Sequence, residues 1–175
     1  MRRLLLFRHA KAERPKRSVK DRDRVLIERG HRDAAHIAIY MANHALVPNR
    51  VVISPAARTQ ETWKFAATAF RPTPAVMTVE QLYDATPHTI IAVIKAAPAA
   101  AHSLLVIGHN PGLHEAALML VASGDAEARE RLQKKFPTAG LVVIDFAVDN
   151  WGKLHTQSGR LDRFVSPKSL KAAAN

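Results

Sequence analysis

Short apolar runs without charge alternate along the chain with longer stretches whose apolar residues recur every three or four positions. The runs predict strands at Arg3–Phe7, Arg50–Ile53, Ala75–Val79, His102–Ile107 and Leu141–Ala147. Leu4-Leu5-Leu6-Phe7 reads as a buried strand. Between the first two strands the pattern predicts a helix from about Glu28, with Ala34, Ile37, Ala38 and Met41 on one face. A second helix is expected over Thr59–Phe70, stopped by Pro72 and Pro74. Thr86 then caps a third, with Pro87 in its first turn, reaching Lys95. Leu113–Val121 and Asp125–Lys135 complete the predicted helices. The tail from Trp151 is expected to be irregular, with Ser-Gly and Ser-Pro turns, and Lys168–Asn175 to fray. Strands alternating with helices imply an α/β protein with a mostly parallel sheet. With no repeat or linker, residues 1–175 are expected to form one domain.

Composition narrows the class. Hydrophobic residues make up 47% and charged residues 23%, as in a soluble globular protein. No apolar stretch nears the roughly 20 residues that cross a bilayer. The opening Met-Arg-Arg-Leu-Leu-Leu-Phe loosely imitates a signal peptide, but its apolar core falls short of the roughly 7–15 residues a signal needs. The absence of cysteine removes disulfides, thiolate metal sites and a cysteine nucleophile. A cytoplasmic protein with no membrane partner is expected. The net charge of +11 is concentrated early, since residues 1–50 hold thirteen Lys/Arg and five Asp/Glu. Such a field favours anionic partners, while a solvated surface carries it equally well.

Chemistry gathers at strand ends. In open α/β sheets, ligands bind outside the carboxyl ends of the strands. There the first strand delivers Arg8-His9, the second Ser54 and Arg58, and the fourth Gly108-His109. Two arginines and two histidines on one rim suit a tetrahedral dianion, because a guanidinium bonds two phosphate oxygens at once. A neutral imidazole can attack phosphorus near pH 7. Phosphoryl transfer asks mainly for positioning and charge stabilisation, so neither metal nor cofactor is expected. His31 with His36, and His109 with His114, imitate metal spacings, but no carboxylate completes a triad. Ser54 is expected to be a structural hydroxyl, Asn110, Gly108 and Gly112 to serve turns, and Trp63 and Trp151 to pack.

These residues resemble the histidine phosphatase superfamily, and within it the short bacterial phosphohistidine phosphatases of the SixA type. The likeness rests on Leu6-Phe7-Arg8-His9-Ala10, on Leu26, Gly30 and Ala34, on Ser54-Pro55-Ala56-Ala57-Arg58 with Gln60 and Thr62, and on Gly108-His109-Asn110-Pro111. It spans about residues 3–165 in order. It implies a phosphoglycerate-mutase-like fold, a three-layer sandwich whose central, mostly parallel sheet is flanked by helices. It also implies roles: His9 as the nucleophile that carries a transient phosphohistidine, Arg8 and Arg58 on the phosphoryl oxygens, and His109 as a further phosphate-binding group. The sequence departs from the family at Ala10, where glycine is usual. For the general acid, Glu80 is the nearest counterpart of a glutamate that larger members carry, the other reading being an ordinary exposed carboxylate at a strand end.

The leading expectation is therefore a metal-independent phosphohydrolase acting on phosphohistidine in a phosphorylated protein. About 50 residues separate Arg58 from His109. That leaves little room for a capping insertion over the pocket, so the site should be shallow and open. The alternatives are a phosphatase of a small phosphorylated substrate with Glu80 as acid, and a non-catalytic polyanion-binding module. No nucleic-acid motif or aromatic platform marks a specific nucleic-acid partner.

Overall fold

The first strand, β1 (Arg2–Arg8), has Leu4, Leu5, Leu6 and Phe7 all fully buried, and this explains its unbroken apolar run. Side chains alternate across a strand. Leu4 and Leu6 accordingly enter one core, and Leu5 and Phe7 the other. The computed structural model describes all 175 residues. After β1 come α1 (Glu28–Asn43), β2 (Arg50–Ile53), α2 (Ala57–Ala66), β3 (Ala75–Thr78), α3 (Pro87–Lys95), β4 (Ser103–Gly108) and α4 (Gly112–Leu120). The chain closes with β5 (Val121–Gly124), α5 (Ala126–Lys134), β6 (Leu141–Phe146), β7 (Gly159–Val165) and α6 (Pro167–Ala174). No helix is long and apolar enough to cross a membrane.

All seven strands form one sheet in the order β3-β2-β4-β1-β6-β7-β5. Only β6 runs against its neighbours β1 and β7; the other pairings are parallel. Residues of α1 and α2 fill the core on one face, and those of α3, α4 and α5 fill the core on the other. The fold is thus a three-layer α/β sandwich with a mostly parallel central sheet. Thr86 caps α3 as expected, its side chain accepting a hydrogen bond from Thr89 N–H.

The expectation for the tail is corrected. In place of irregular chain there are β7 and α6, and β5 also went unpredicted. Along β7 the pairing with β6 skips Asp162, so the buried residues Leu161 and Phe164 stand three apart. A bulge of this kind breaks the alternation that marks a strand. Gly159 opens β7 because the side chains of Ile144 and Phe146 fill the space its Cβ would take. From Pro167 onward, the expected fraying is replaced by α6, opened by a reciprocal cap between Ser166 and Ser169. Leu170 packs that helix against the core beneath α1.

Candidate active site

Strand order brings the predicted residues together. Arg8 and Gly108 are register partners in β1 and β4, so His9 and His109, the next residues, leave the sheet side by side. Their ring centroids lie 5.4 Å apart. Ile53 of β2 pairs with Ile107 of β4, which sets Ser54 beside His109. Arg58 arrives in the first turn of α2, and its side chain is only 7% exposed. Arg8, His9, Arg58 and His109 line one pocket of about 230 Å³. Lys11, Ala12, Arg24, Asn110 and Thr138 complete the wall, with no carboxylate among them. Nor do three His, Asp or Glu side chains gather anywhere in a cluster that could hold a metal ion.

The imidazole of His9 is held in one tautomer. Its Nδ1 lies 2.8 Å from the carbonyl oxygen of Ala10. A carbonyl only accepts, so Nδ1 carries the proton and Nε2 keeps its lone pair. Burial pushes the His9 pKa down from 6.5 to about 3, with the charges of His109, Arg8 and Arg58 adding to the effect. His109 is pushed down to about 4, first by burial and then by Arg58. Both rings are therefore neutral at pH 7. Burial also lowers Arg8, as does the charge of Arg58.

Ser54 does more than end a strand. Its Oγ lies 2.7 Å from His109 Nε2 and accepts a hydrogen bond from Ala56 N–H. The other ring nitrogen of His109, Nδ1, is buried and unpartnered, and it carries the ring hydrogen when the hydroxyl donates to Nε2. Nε of Arg8, Nε of Arg58 and Oδ1 of Asn110 are likewise buried without partners, and all four residues line the pocket. An unpaired buried donor is costly. Nε of Arg8 and Nε of Arg58 are two such donors, both on residues that line this pocket.

A supporting shell escaped the sequence analysis. Asp21 receives Arg58 through its backbone oxygen at 2.8 Å and through its carboxylate at 3.1 Å. Tyr83 O–H donates to the same carboxylate, and Arg24 is its ion-pair partner at 3.0 Å. The hydroxyl of Tyr83, followed by the charge of Arg58, holds Asp21 down at about 2. It stays ionised and cannot serve as a proton donor. The segment before β6 grips the other side. Phe136 O accepts from Arg8 Nη1 and Asn110 Nδ2, and Ala139 N–H is shared by the oxygens of Arg8 and His9. The turn residues Pro137 to Gly140 were the available signal, as was Arg24 just ahead of Leu26.

Two expectations receive a definite place. Ala10 is fully buried in the core and keeps an ordinary negative φ, so its methyl group is accommodated. Its N–H donates to Thr62 Oγ1, one helical turn beyond Arg58. Glu80 is not brought into the pocket. It sits in a 3-10 turn, 68% exposed, and both its oxygens are bound by Arg22 at 2.9 and 3.1 Å.

Comparison with known proteins bears on the family and the fold. The model of the histidine phosphatase superfamily (branch 1) matches residues 4–86. An uncharacterized protein of Mycobacterium leprae is 32% identical over 166 residues, covering 93% of this chain and all of that one. Among solved structures, a protein of Agrobacterium tumefaciens assigned as a phosphohistidine phosphatase SixA superposes with a TM-score of 0.76 at 29% identity. It covers 95% of this chain and 98% of its own. A second protein with the same assignment, from Nakamurella multipartitia, reaches a TM-score of 0.83 at 28% identity, covering 95% of this chain and 96% of its own.

Proposed function

The chain belongs to the histidine phosphatase superfamily, in its SixA type, and on that premise we propose that it is a phosphatase of phosphohistidine in proteins, working through a covalent phosphohistidine on His9. The observation that carries this reading is the tautomer of His9: Nδ1 is tied to the Ala10 carbonyl, while Nε2 is free and unprotonated at the floor of a cationic pocket.

A phosphoryl group seated there lies among Arg8, Arg58 and His109, which line the pocket and carry the buried, unpartnered nitrogens. His9 Nε2 attacks phosphorus as the P–N bond of the substrate breaks, and the electron pair of that bond returns to the departing imidazole. The Ala10 carbonyl steadies the cationic ring formed on His9 through its Nδ1–H. Water then attacks the phosphoryl group on His9, which releases inorganic phosphate and restores the neutral imidazole. Charge developing on the phosphoryl oxygens is met by donors already fixed in place.

The absence of a carboxylic acid in the pocket favours phosphohistidine over an alkyl ester. A ring-protonated phosphohistidine expels neutral imidazole, whereas an alkoxide must be protonated as it leaves. The test is turnover of a phosphohistidine protein and of p-nitrophenyl phosphate by wild type and His9→Ala, with radiolabelled phosphate followed on the enzyme. Wild type should trap acid-labile, alkali-stable label, and His9→Ala should be inactive. Turnover by His9→Ala at the wild-type rate overturns the mechanism. Glycerol phosphate, an alkyl ester, is run alongside, and a preference for it over the phosphohistidine protein overturns the substrate.

A further inference from the structure

A larger groove of about 530 Å³ opens beside the His9 pocket. Arg8, Lys11 and Thr138 line both cavities, so the two adjoin along these residues. Beyond them the walls carry Arg29 from α1, Arg131 and Lys135 from the end of α5, and Lys168 from the first turn of α6. Six cations thus face one carboxylate, that of Asp33, and Asp33 is engaged by Arg29 at 3.6 Å. Lys11, Lys135 and Lys168 enter no ion pair. Gathering like charges from four separate parts of the chain disfavours the fold unless an anion answers them.

We propose that this groove docks an acidic segment flanking the phosphohistidine of the substrate protein, and the proposal rests on the phosphohistidine reading of the adjoining pocket. Carboxylates spaced along an extended chain suit cations spread over the groove. The volume falls within the roughly 300–1,000 Å³ that holds a drug-sized group, enough for a few residues. A single-stranded nucleic acid fits less well, because its bases stack on exposed aromatic faces. The one aromatic ring here, Phe164, is buried and covered by the Arg131 guanidinium at 5.1 Å. Arg131 also donates to Phe164 O at 2.9 Å, which holds its charge in place before any ligand arrives.

The test uses two synthetic histidine peptides phosphorylated with phosphoramidate, identical except that one is flanked by glutamates and the other by glutamines. Wild type is compared with the double variant Lys135→Glu/Lys168→Glu, both residues being exposed and outside the His9 pocket. The wild type should prefer the glutamate peptide, and the variant should lose about tenfold or more in kcat/KM on that peptide alone. Turnover of the glutamine peptide and of p-nitrophenyl phosphate should stay at the wild-type level, which also reports that the variant folds. Equal losses on both peptides, or a wild type indifferent to the flank, overturn the proposal. In a second arm, a polyglutamate peptide should inhibit p-nitrophenyl phosphate turnover by wild type and not by the variant. If that inhibition holds while neither phosphopeptide is hydrolysed, the groove stands and the phosphohistidine reading fails. Stronger inhibition by an oligonucleotide of equal charge overturns the choice of a protein segment.

Discussion

Ser54 Oγ lies 2.7 Å from His109 Nε2, and this contact joins the end of β2 to the end of β4. The hydroxyl holds the rotation of the ring. Ser54→Ala should lower kcat by about tenfold or more, since misaimed groups at a reacting centre are costly, with a smaller change in KM. Ser54→Thr keeps the hydroxyl and should restore part of the loss. An unchanged kcat in Ser54→Ala would make the contact incidental.

Arg8 and Arg58 should act as one unit. Each single alanine variant removes a charge-assisted contact worth roughly 1.5–3 kcal/mol, so kcat/KM falls by one to two orders of magnitude or more. The double variant should fall far less than the product of the two. Steady-state kinetics on p-nitrophenyl phosphate decides this, and independent multiplication would contradict a shared phosphoryl site.

Proton NMR of the nine imidazoles should show His9 titrating near 3 and His109 near 4, well below the ordinary 6.5. Because the folded values lie below the unfolded one, the unfolded chain takes up protons first as the pH drops. The contribution of these rings to stability is therefore complete above pH 6.5. It is lost between there and about pH 3. Bound inorganic phosphate should raise both midpoints, since an anion favours the imidazolium. A His9 midpoint near 6.5 in the free protein would mean that the ring is not desolvated.

Glu80→Gln should leave turnover of phosphohistidine and of alkyl phosphates nearly unchanged, because the carboxylate faces solvent and Arg22. Its ion pair is an exposed one, contributing between about 0 and 1 kcal/mol, so the melting temperature should hardly move. A selective loss on alkyl phosphates would show that Glu80 reaches the leaving group.

Gly30→Ala separates helix propensity from packing. Alanine should favour α1 by up to about 1 kcal/mol. However, its Cβ would stand 2.2 Å from the backbone oxygen of Lys11, which cannot swing away as a side chain could. Moving α1 off the loop that follows His9 should cost about 1–3 kcal/mol, so packing wins. Thermal unfolding should show a lower midpoint with reduced activity. A higher midpoint would mean that the loop yields freely.

Much of the molecule was legible from short-range pattern. The period of the apolar residues located β1, β2, β4 and α1, and Thr86-Pro87 marked the start of α3 to the residue. Arg8, His9, Arg58 and His109 could be read as one site because parallel strands present their carboxyl ends on one rim. The likeness of Ser54-Pro55-x-x-Arg58 and Gly108-His109-Asn110-Pro111 to one family also carried over to the fold. All of these signals depend on neighbours within a few residues, which a sequence displays directly.

What remained needed the chain to be folded. Nothing local to Ser54 says that its hydroxyl meets His109, because the two are adjacent only through the β2–β4 register. Nothing local to Asp21 says that it holds Arg58, since that contact depends on where the basic loop lands. Glu80 could be read as an acid or as an exposed strand-end carboxylate, and only the position of Arg22 shows its carboxylate engaged outside the pocket. β7 was hidden by its own bulge, and α6 by the Ser-Pro turn that in fact caps it. Hydrophobic period and turn chemistry act along the chain and determined the elements. The pKa of His9, the partners of each donor and the shape of the basic groove arise from groups distant in sequence, and tertiary packing decided them.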